Sequence, residues 1–178
     1  MSNTIIKECK KEIIMFGSLK EKIGFGKKDE VLFSPIEGRT VSISEVNDPT
    51  FSQEMLGKGV AIIPDVGRVV SPVDGTVEMV FDTKHAISIT SDTGIQILIH
   101  VGIDTVSLKG APFKAYVRTG DRVKVGDLML EFNVEAIKKA GLNTITPVII
   151  CNSYDYKKVI AHAGRNVGTT DKVLTLVK

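Results

Sequence analysis

Residues 94–106, GIQILIHVGIDTV, constrain the fold more tightly than any other stretch of the chain. Ile95, Ile97, Ile99, Val101 and Ile103 form an unbroken apolar row at a spacing of two, whereas Gln96, Leu98, His100, Gly102 and Asp104 are mixed. Side chains alternate faces along a strand, so the first row belongs in a core and His100 leaves on the opposite face. An imidazole is thereby held on a rigid element beside a glycine and an acid. Taken alone, this is a half-exposed strand histidine.

The same texture continues from Val31 onward. Short Val/Ile-rich runs alternate with Gly, Pro and Asp at the spacing of a sandwich or barrel. Two echoes stand out. FSPIEGRTVSI at 33–43 resembles VSPVDGTVEMV at 70–80, and GDRVKVGDLMLEF at 120–132 resembles GRNVGTTDKVLTLV at 164–177. Repeated turn chemistry predicts a duplicated unit whose strands swap between two sheets. Three short helices are expected. One runs over 48–59, with Asp48 as its N-cap and Pro49 at its first position. The second runs from Asn133 to Gly141. The third, from Ser153 to Gly164, would put His162 in a last turn, where a cation suits the helix dipole.

The bulk properties exclude several classes. A net charge of +2 is too slight for a nucleic-acid footprint, and the absence of Trp with only 6% aromatics offers no base-stacking platform. Cys9 and Cys151 are too few for a disulfide framework or a cysteine-rich zinc site, which points to a reducing cytoplasm. No apolar run is long enough to cross a bilayer, and no signal-peptide plan is present. The 178 residues fit one domain, expected over 30–178, preceded by a tail and linker over 1–29. In that tail Ile6, Cys9, Ile13, Phe16, Leu19 and Ile23 recur at helical spacing among lysines. This reads either as a loosely packed terminal helix or as a basic amphipathic helix resting on an anionic membrane.

A second histidine, His85, lies in FDTKHAISIT at 81–90, followed by SDTG. Loop length decides how the two histidines meet. A four-residue loop, Ser91 to Gly94, sets His85 directly across from His100. A three-residue loop, Asp92 to Gly94, slips the register by one, so that His85 faces Val101 and joins the isoleucine row. Hydrophobic patterning favours the second register, because Ile87 and Ile89 then align with the downstream row. Loop chemistry permits either.

Thr83-Lys84-His85, then Gly94, then Leu98-Ile99-His100-Val101-Gly102-Ile103-Asp104-Thr105-Val106 resemble an active-site signature. It is that of the glucose-type enzyme IIA component of the bacterial phosphoenolpyruvate-dependent sugar phosphotransferase system. The signature is a Gly, aliphatics, then His-aliphatic-Gly-aliphatic-x-Thr-aliphatic. The similarity runs from about Val31 to Lys178, through SPVDGTV, RVKVGD and TPVIICN. It implies an all-β fold, an antiparallel β-sandwich of the duplicated hybrid (barrel-sandwich) kind with a few short helices. It also selects the register that places His85 opposite His100.

The resemblance further implies a phosphotransferase component with a phosphohistidine intermediate. His100 would accept a phosphoryl group from the histidine phosphocarrier protein and pass it to a cysteine of an enzyme IIB domain, coupled to sugar uptake. No cofactor is implied beyond the covalently carried phosphoryl group, with weak zinc binding by the histidine pair as an accessory property. For this chemistry His100 must be neutral, with one ring nitrogen nucleophilic and the other held, the Gly102 carbonyl being the candidate holder. His85 would donate to a phosphoryl oxygen, and Thr83, on the same strand face, would orient His85. Asp104 matches a family acid near the site. Phe51, Phe81, Leu98 and Val106 would form an exposed apolar ring for protein partners, less aromatic at Leu98 and Ser88 than in many members. MFGSLKEKIGFGKK, from Met15, is similar to the family's amphipathic leader, which implies a peripheral contact at the inner face of the membrane. A competing expectation is a zinc-dependent hydrolase on a related hybrid fold, with His85, His100 and Asp104 as ligands, though a closely spaced His-x-His motif is missing.

Overall fold

The computed structural model describes residues 29–178, so the predicted amphipathic segment lies outside the described residues. In chain order the first strands are β1 (Glu30–Phe33), β2 (Gly38–Ser42), β3 (Lys58–Pro64), β4 (Arg68–Val70), β5 (Gly75–Val80), β6 (Ala86–Ser91) and β7 (Gln96–His100). There follow β8 (Phe113–Ala115), β9 (Arg122–Val123), β10 (Leu128–Phe132), β11 (Thr146–Ile150), β12 (Lys158–Ala161), β13 (Asn166–Val167) and β14 (Lys172–Val177). Two short helices, α1 (Pro49–Ser52) and α2 (Val134–Lys139), interrupt them. An eight-stranded sheet in the order β13-β2-β3-β11-β7-β6-β5-β9 packs with two three-stranded sheets, β1-β14-β12 and β4-β10-β8. Paired strands run antiparallel. The all-β sandwich expected from the sequence is the fold observed.

Each sequence echo is a pair of matching copies in a duplicated unit, and the copies make matched hydrogen bonds. Phe33 N–H donates to Pro72 O (3.3 Å), and its counterpart Val70 N–H donates back to Pro35 O (2.8 Å). The Ser34 hydroxyl donates to Ile36 O and the Ser71 hydroxyl to Val73 O, both at 2.6 Å. In the second echo Asp127 Oδ2 accepts from Lys124 N–H and Asp171 Oδ2 from Gly168 N–H, each at 2.8 Å. The echoes also meet each other. Gly38 pairs with Val167 and Arg39 with Asn166, just as Gly75 pairs with Val123 and Thr76 with Arg122. Each Ser-Pro-aliphatic-acid-Gly turn therefore brings its strand into contact with one copy of the second echo.

The large sheet has an apolar cluster on each face. On one, Ile87, Ile89, Ile97, Ile99, Val101, Val148 and Ile150 meet Leu32, Val69, Leu130, Leu174 and Leu176 of the small sheets. Fully burying an isoleucine is worth about 1.5–3 kcal/mol, so the alternating row commits the strand to this orientation. On the other face Ala61, Ala86, Leu98 and Ile149 are covered by Phe51, Phe81, Ile103 and Ile145. The second cluster is the foundation of the site described below.

The helices differ in part from expectation. Asp48 caps α1 as predicted, accepting from Thr50 N–H at 2.7 Å, and Asn133 caps α2, accepting from Ala136 N–H at 2.9 Å. α1 stops after one turn because Glu54 (φ 55°) and Gly57 (φ 129°) swing the chain back into β3. The predicted helix from Ser153 to Gly164 is instead a 3-10 turn over Ser153–Asp155 followed by β12. There Val159 pairs with Leu176 and Ile160 with Thr175, and β-branched residues suit such an edge. His162 follows this strand, its Nε2 lying 2.9 Å from Thr175 Oγ1.

The turn glycines make the duplication testable. A Cβ on Gly38 would lie 2.1 Å from Ile63 O, and one on Gly75 would lie 2.3 Å from Thr90 O, in both cases against rigid backbone. Gly38→Ala and Gly75→Ala are each expected to lower unfolding free energy by about 2–3 kcal/mol in urea titrations. Equal tolerance of both changes would contradict the close backbone approach.

Candidate active site

The hairpin joining β6 to β7 turns through three residues, Asp92 to Gly94. Ala86 is therefore opposite His100, Ile87 opposite Ile99 and Ile89 opposite Ile97. This is the register favoured by hydrophobic patterning, and it corrects the expectation that His85 pairs with His100. His85 nevertheless stays out of the isoleucine row. Val101 N–H donates to His85 O (2.7 Å), but Val101 O accepts from the Thr105 hydroxyl, so only half of that ladder pair forms. His85 stands just ahead of β6, in a turn rather than on a strand, and so does Thr83.

The two imidazoles converge all the same, with ring centroids 4.8 Å apart and planes at 81°. Each is packed by a phenylalanine. Phe51 from α1 lies 5.1 Å from the His100 ring, and Phe81 lies edge-on 5.5 Å from His85. Thr83 Oγ1 is 2.6 Å from His85 Nδ1. If the hydroxyl donates there, the ring proton sits on Nε2, which is buried and unpartnered. A sealed polar atom without a partner is costly unless something is meant to meet it.

On His100 the hydrogen bond decides the tautomer. A carbonyl can only accept, so Nδ1–H donates to Gly102 O at 2.8 Å, and the neutral ring keeps its lone pair on Nε2. Gly102 holds φ at 70°, and a Cβ there would approach Thr105 Cγ2 to 2.6 Å and Asn143 O to 2.8 Å. Burial pushes the His85 pKa down to about 3, helped by the neighbouring His100. Burial also lowers that of His100, while the Gly102 bond and the charges of Asp48 and Asp104 pull the other way.

The surroundings depart from the predicted exposed ring. Leu98 has no exposed surface, Phe51 keeps 3% and Phe81 keeps 9%, because all three belong to the cluster covering the outer face of the large sheet. Leu98 thus supports the histidines from below and cannot touch a partner directly. His85 and His100 themselves keep only 2% and 4%. Val106 is half-buried in the 3-10 turn Thr105–Leu108 that follows Gly102. Asp104 is exposed, has a left-handed backbone (φ 58°) and acts on His100 through its charge, not through a hydrogen bond. Among the described residues no three His, Cys, Asp or Glu side chains gather as a metal site, so the ligand set of the zinc-hydrolase reading does not assemble. Two contributors escaped the sequence reading. Asp48 was visible only as a helix cap, although its position three residues before Phe51 ties it to the site. Thr105 was visible only as a signature position, and its hydroxyl fixes the turn that delivers the Gly102 carbonyl.

The family described as phosphoenolpyruvate-dependent sugar phosphotransferase system, EIIA 1, matches residues 30–156. The chain belongs to this family. It is accordingly an EIIA phosphotransferase component, one that carries a phosphoryl group on histidine within a sugar phosphotransferase system. It is 52% identical over 127 residues, 71% of its length, to the beta-glucoside-specific EIIBCA component of Bacillus subtilis (strain 168), of which it spans 21%. It is 46% identical over 132 residues to the glucose-specific EIIA component of Oceanobacillus iheyensis, covering 74% of this chain and 80% of that one. Among solved structures the glucose permease IIA from Mycoplasma capricolum superposes with a TM-score of 0.78 at 31% identity, covering 86% of this chain and 99% of the other. The EIIA chain thus spans about a fifth of its multidomain relative and most of its single-component one. No helix among the described residues is long and apolar enough to cross a membrane.

The lowered His85 pKa makes a claim about stability. An unfolded histidine titrates near 6.5, so between about 6.5 and 3 the unfolded chain binds more protons than the folded one. The stabilisation from a neutral His85 is therefore complete above about pH 6.5 and is lost as pH falls. Unfolding free energy measured from pH 7 to 4 should fall less steeply for His85→Gln, by up to about one bound proton. Identical slopes would mean that His85 is not held neutral.

Proposed function

We propose that His100 Nε2 is the phosphoryl acceptor, that the donor is the histidine phosphocarrier protein, and that the group passes on to a cysteine of an enzyme IIB domain. The observation that carries this reading is the Gly102 carbonyl on His100 Nδ1–H, which leaves Nε2 as the ring's one basic nitrogen beside a buried, unpartnered His85 Nε2. The nitrogen–phosphorus bond of the donor breaks as the Nε2–phosphorus bond forms, and no proton need move because Nδ1–H is retained. The phosphorylated ring then carries positive character, which the Gly102 carbonyl and the charges of Asp48 and Asp104 favour. His85 Nε2–H donates to a phosphoryl oxygen, and Thr83 fixes the tautomer that allows it. Such transfer passes through a loose transition state in which positioning and charge stabilisation do most of the catalysis.

The partner assignment is supported by the family and by relatives named EIIBCA components, in which EIIA shares a chain with B and C components. Their names span beta-glucoside, glucosamine and glucose, so a hexose or hexoside is the sugar class at the end of the relay. Phe51 and Phe81 serve docking from beneath, each packing against one of the two buried imidazoles. The N-terminal segment is proposed as a peripheral membrane contact on its sequence alone.

Two variants test the roles. With phosphoenolpyruvate, enzyme I and the carrier protein, the wild-type mass should rise by one acid-labile phosphoryl group, and His100→Ala should show no rise. Retention of label on His100→Ala would refute the assignment. His85→Gln should still take up the group but pass it to the IIB cysteine about a hundredfold more slowly, the scale of losing one transition-state donor.

A further inference from the structure

The turn between β5 and β6 has an unusual occupant at its decisive position. Phe81 N–H donates to Ala86 O (3.2 Å) to close the hairpin, and Lys84 N–H donates to Phe81 O (2.7 Å), forming a tight turn over residues 81–84. In such a hairpin the last residue of the turn takes the left-handed conformation, a position usually filled by Gly or Asn. Here it is Lys84, with φ at 55°. A residue with a Cβ is strained there, and strain of this kind persists where the surrounding structure enforces it.

The register shows what the strained backbone accomplishes. Were β6 to extend regularly through His85, that residue would share the face of its neighbour Val101, inside the main core. Instead its ring lies against His100 and Phe81 on the opposite face. The half-formed pair with Val101 marks where the chain leaves strand geometry, and Lys84 is the residue immediately before it. We propose that Lys84 is a positioning residue whose left-handed backbone turns the His85 ring off the core face and onto the face that carries His100. The role belongs to the backbone and not to the ammonium group. It rests on the phosphocarrier reading only for its effect on transfer, since the placement of His85 can be observed without any phosphoryl chemistry.

The experiment compares Lys84→Gly, Lys84→Asn, Lys84→Arg and Lys84→Val in the full chain, each checked for native far-UV circular dichroism. Two readouts are taken: imidazole ¹⁵N–¹H correlation spectra of His85, and transfer of labelled phosphoryl from His100 to the IIB cysteine. Gly and Asn accept the left-handed region at least as readily as Lys, so those variants should keep the wild-type His85 tautomer and transfer within about threefold. Val is the least tolerant, and its variant should lose the Nδ1 hydrogen-bond signature. Its onward transfer should slow by about tenfold or more, a cost in keeping with strain at such a position, while uptake on His100 changes less. If Lys84→Val does not fold, Lys84→Ala should show the same pattern more weakly. Wild-type His85 spectra and transfer in a folded Val or Ala variant would overturn the inference. So would loss of transfer in the Gly and Asn variants with retention in Arg, which would assign the role to the charge. Failure of the unmutated chain to take up phosphoryl would sink the phosphocarrier reading alone and leave the imidazole spectra to decide the placement.

Discussion

The hydrogen bond from His100 Nδ1–H to the carbonyl two residues ahead is the constraint on which the arrangement of the site depends. It converts a heterocycle whose proton can sit on either nitrogen into one whose basic nitrogen is defined as Nε2. The bond requires the chain to turn sharply after β7, and that turn requires Gly102, because no side chain fits against Thr105 and Asn143 O. Thr105 ties the following segment to Val101 O, and Ile103 N–H donates to Asn143 O at 2.9 Å. The signature glycine and threonine are thus parts of one device for presenting a carbonyl to an imidazole.

Burial supplies the second half of that device. Both rings are packed by phenylalanines and nearly cut off from water, which disfavours protonation and keeps them neutral. So dry a position makes electrostatic contacts stronger than they would be in solvent, including the pull of Asp48 and Asp104 on His100. The same apolar cluster that stabilises the outer face of the sheet therefore sets the ionisation state of the site. Leu98 illustrates the point. It meets no partner itself, but its burial beside Ala86 and Ile149 gives the histidines a firm floor.

Alternation along 95–103 and the paired Ser-Pro-aliphatic-acid-Gly turns made the sandwich and its duplication legible, because both rest on local geometry. The Gly102 carbonyl was legible for the same reason, being two residues from the ring it holds. The face taken by His85 was not. Periodicity predicts it only while the strand stays regular, and Lys84 breaks that regularity at a position where a glycine would have signalled the turn and a lysine does not. The segment after Ser153 misled for a related reason: Val159 and Ile160 fit a helix or a strand equally well until their partners in β14 are known. Exposure at Phe51, Phe81 and Leu98 was out of reach too, since alternation tells which face a side chain takes but not what covers that face.

The pairing of β1 with β14 sets Glu30 opposite Leu176, and the Lys178 ammonium reaches the Glu30 carboxylate, which also accepts from the Tyr156 hydroxyl at 2.9 Å. Residues from the two ends of the described chain are therefore neighbours on adjoining strands. A polypeptide attached ahead of residue 30 and one attached beyond residue 178 would leave the domain from the same edge. For a module whose relatives share chains with other components, this geometry makes either end a similar point of tethering, with the fold itself imposing little preference on which is used.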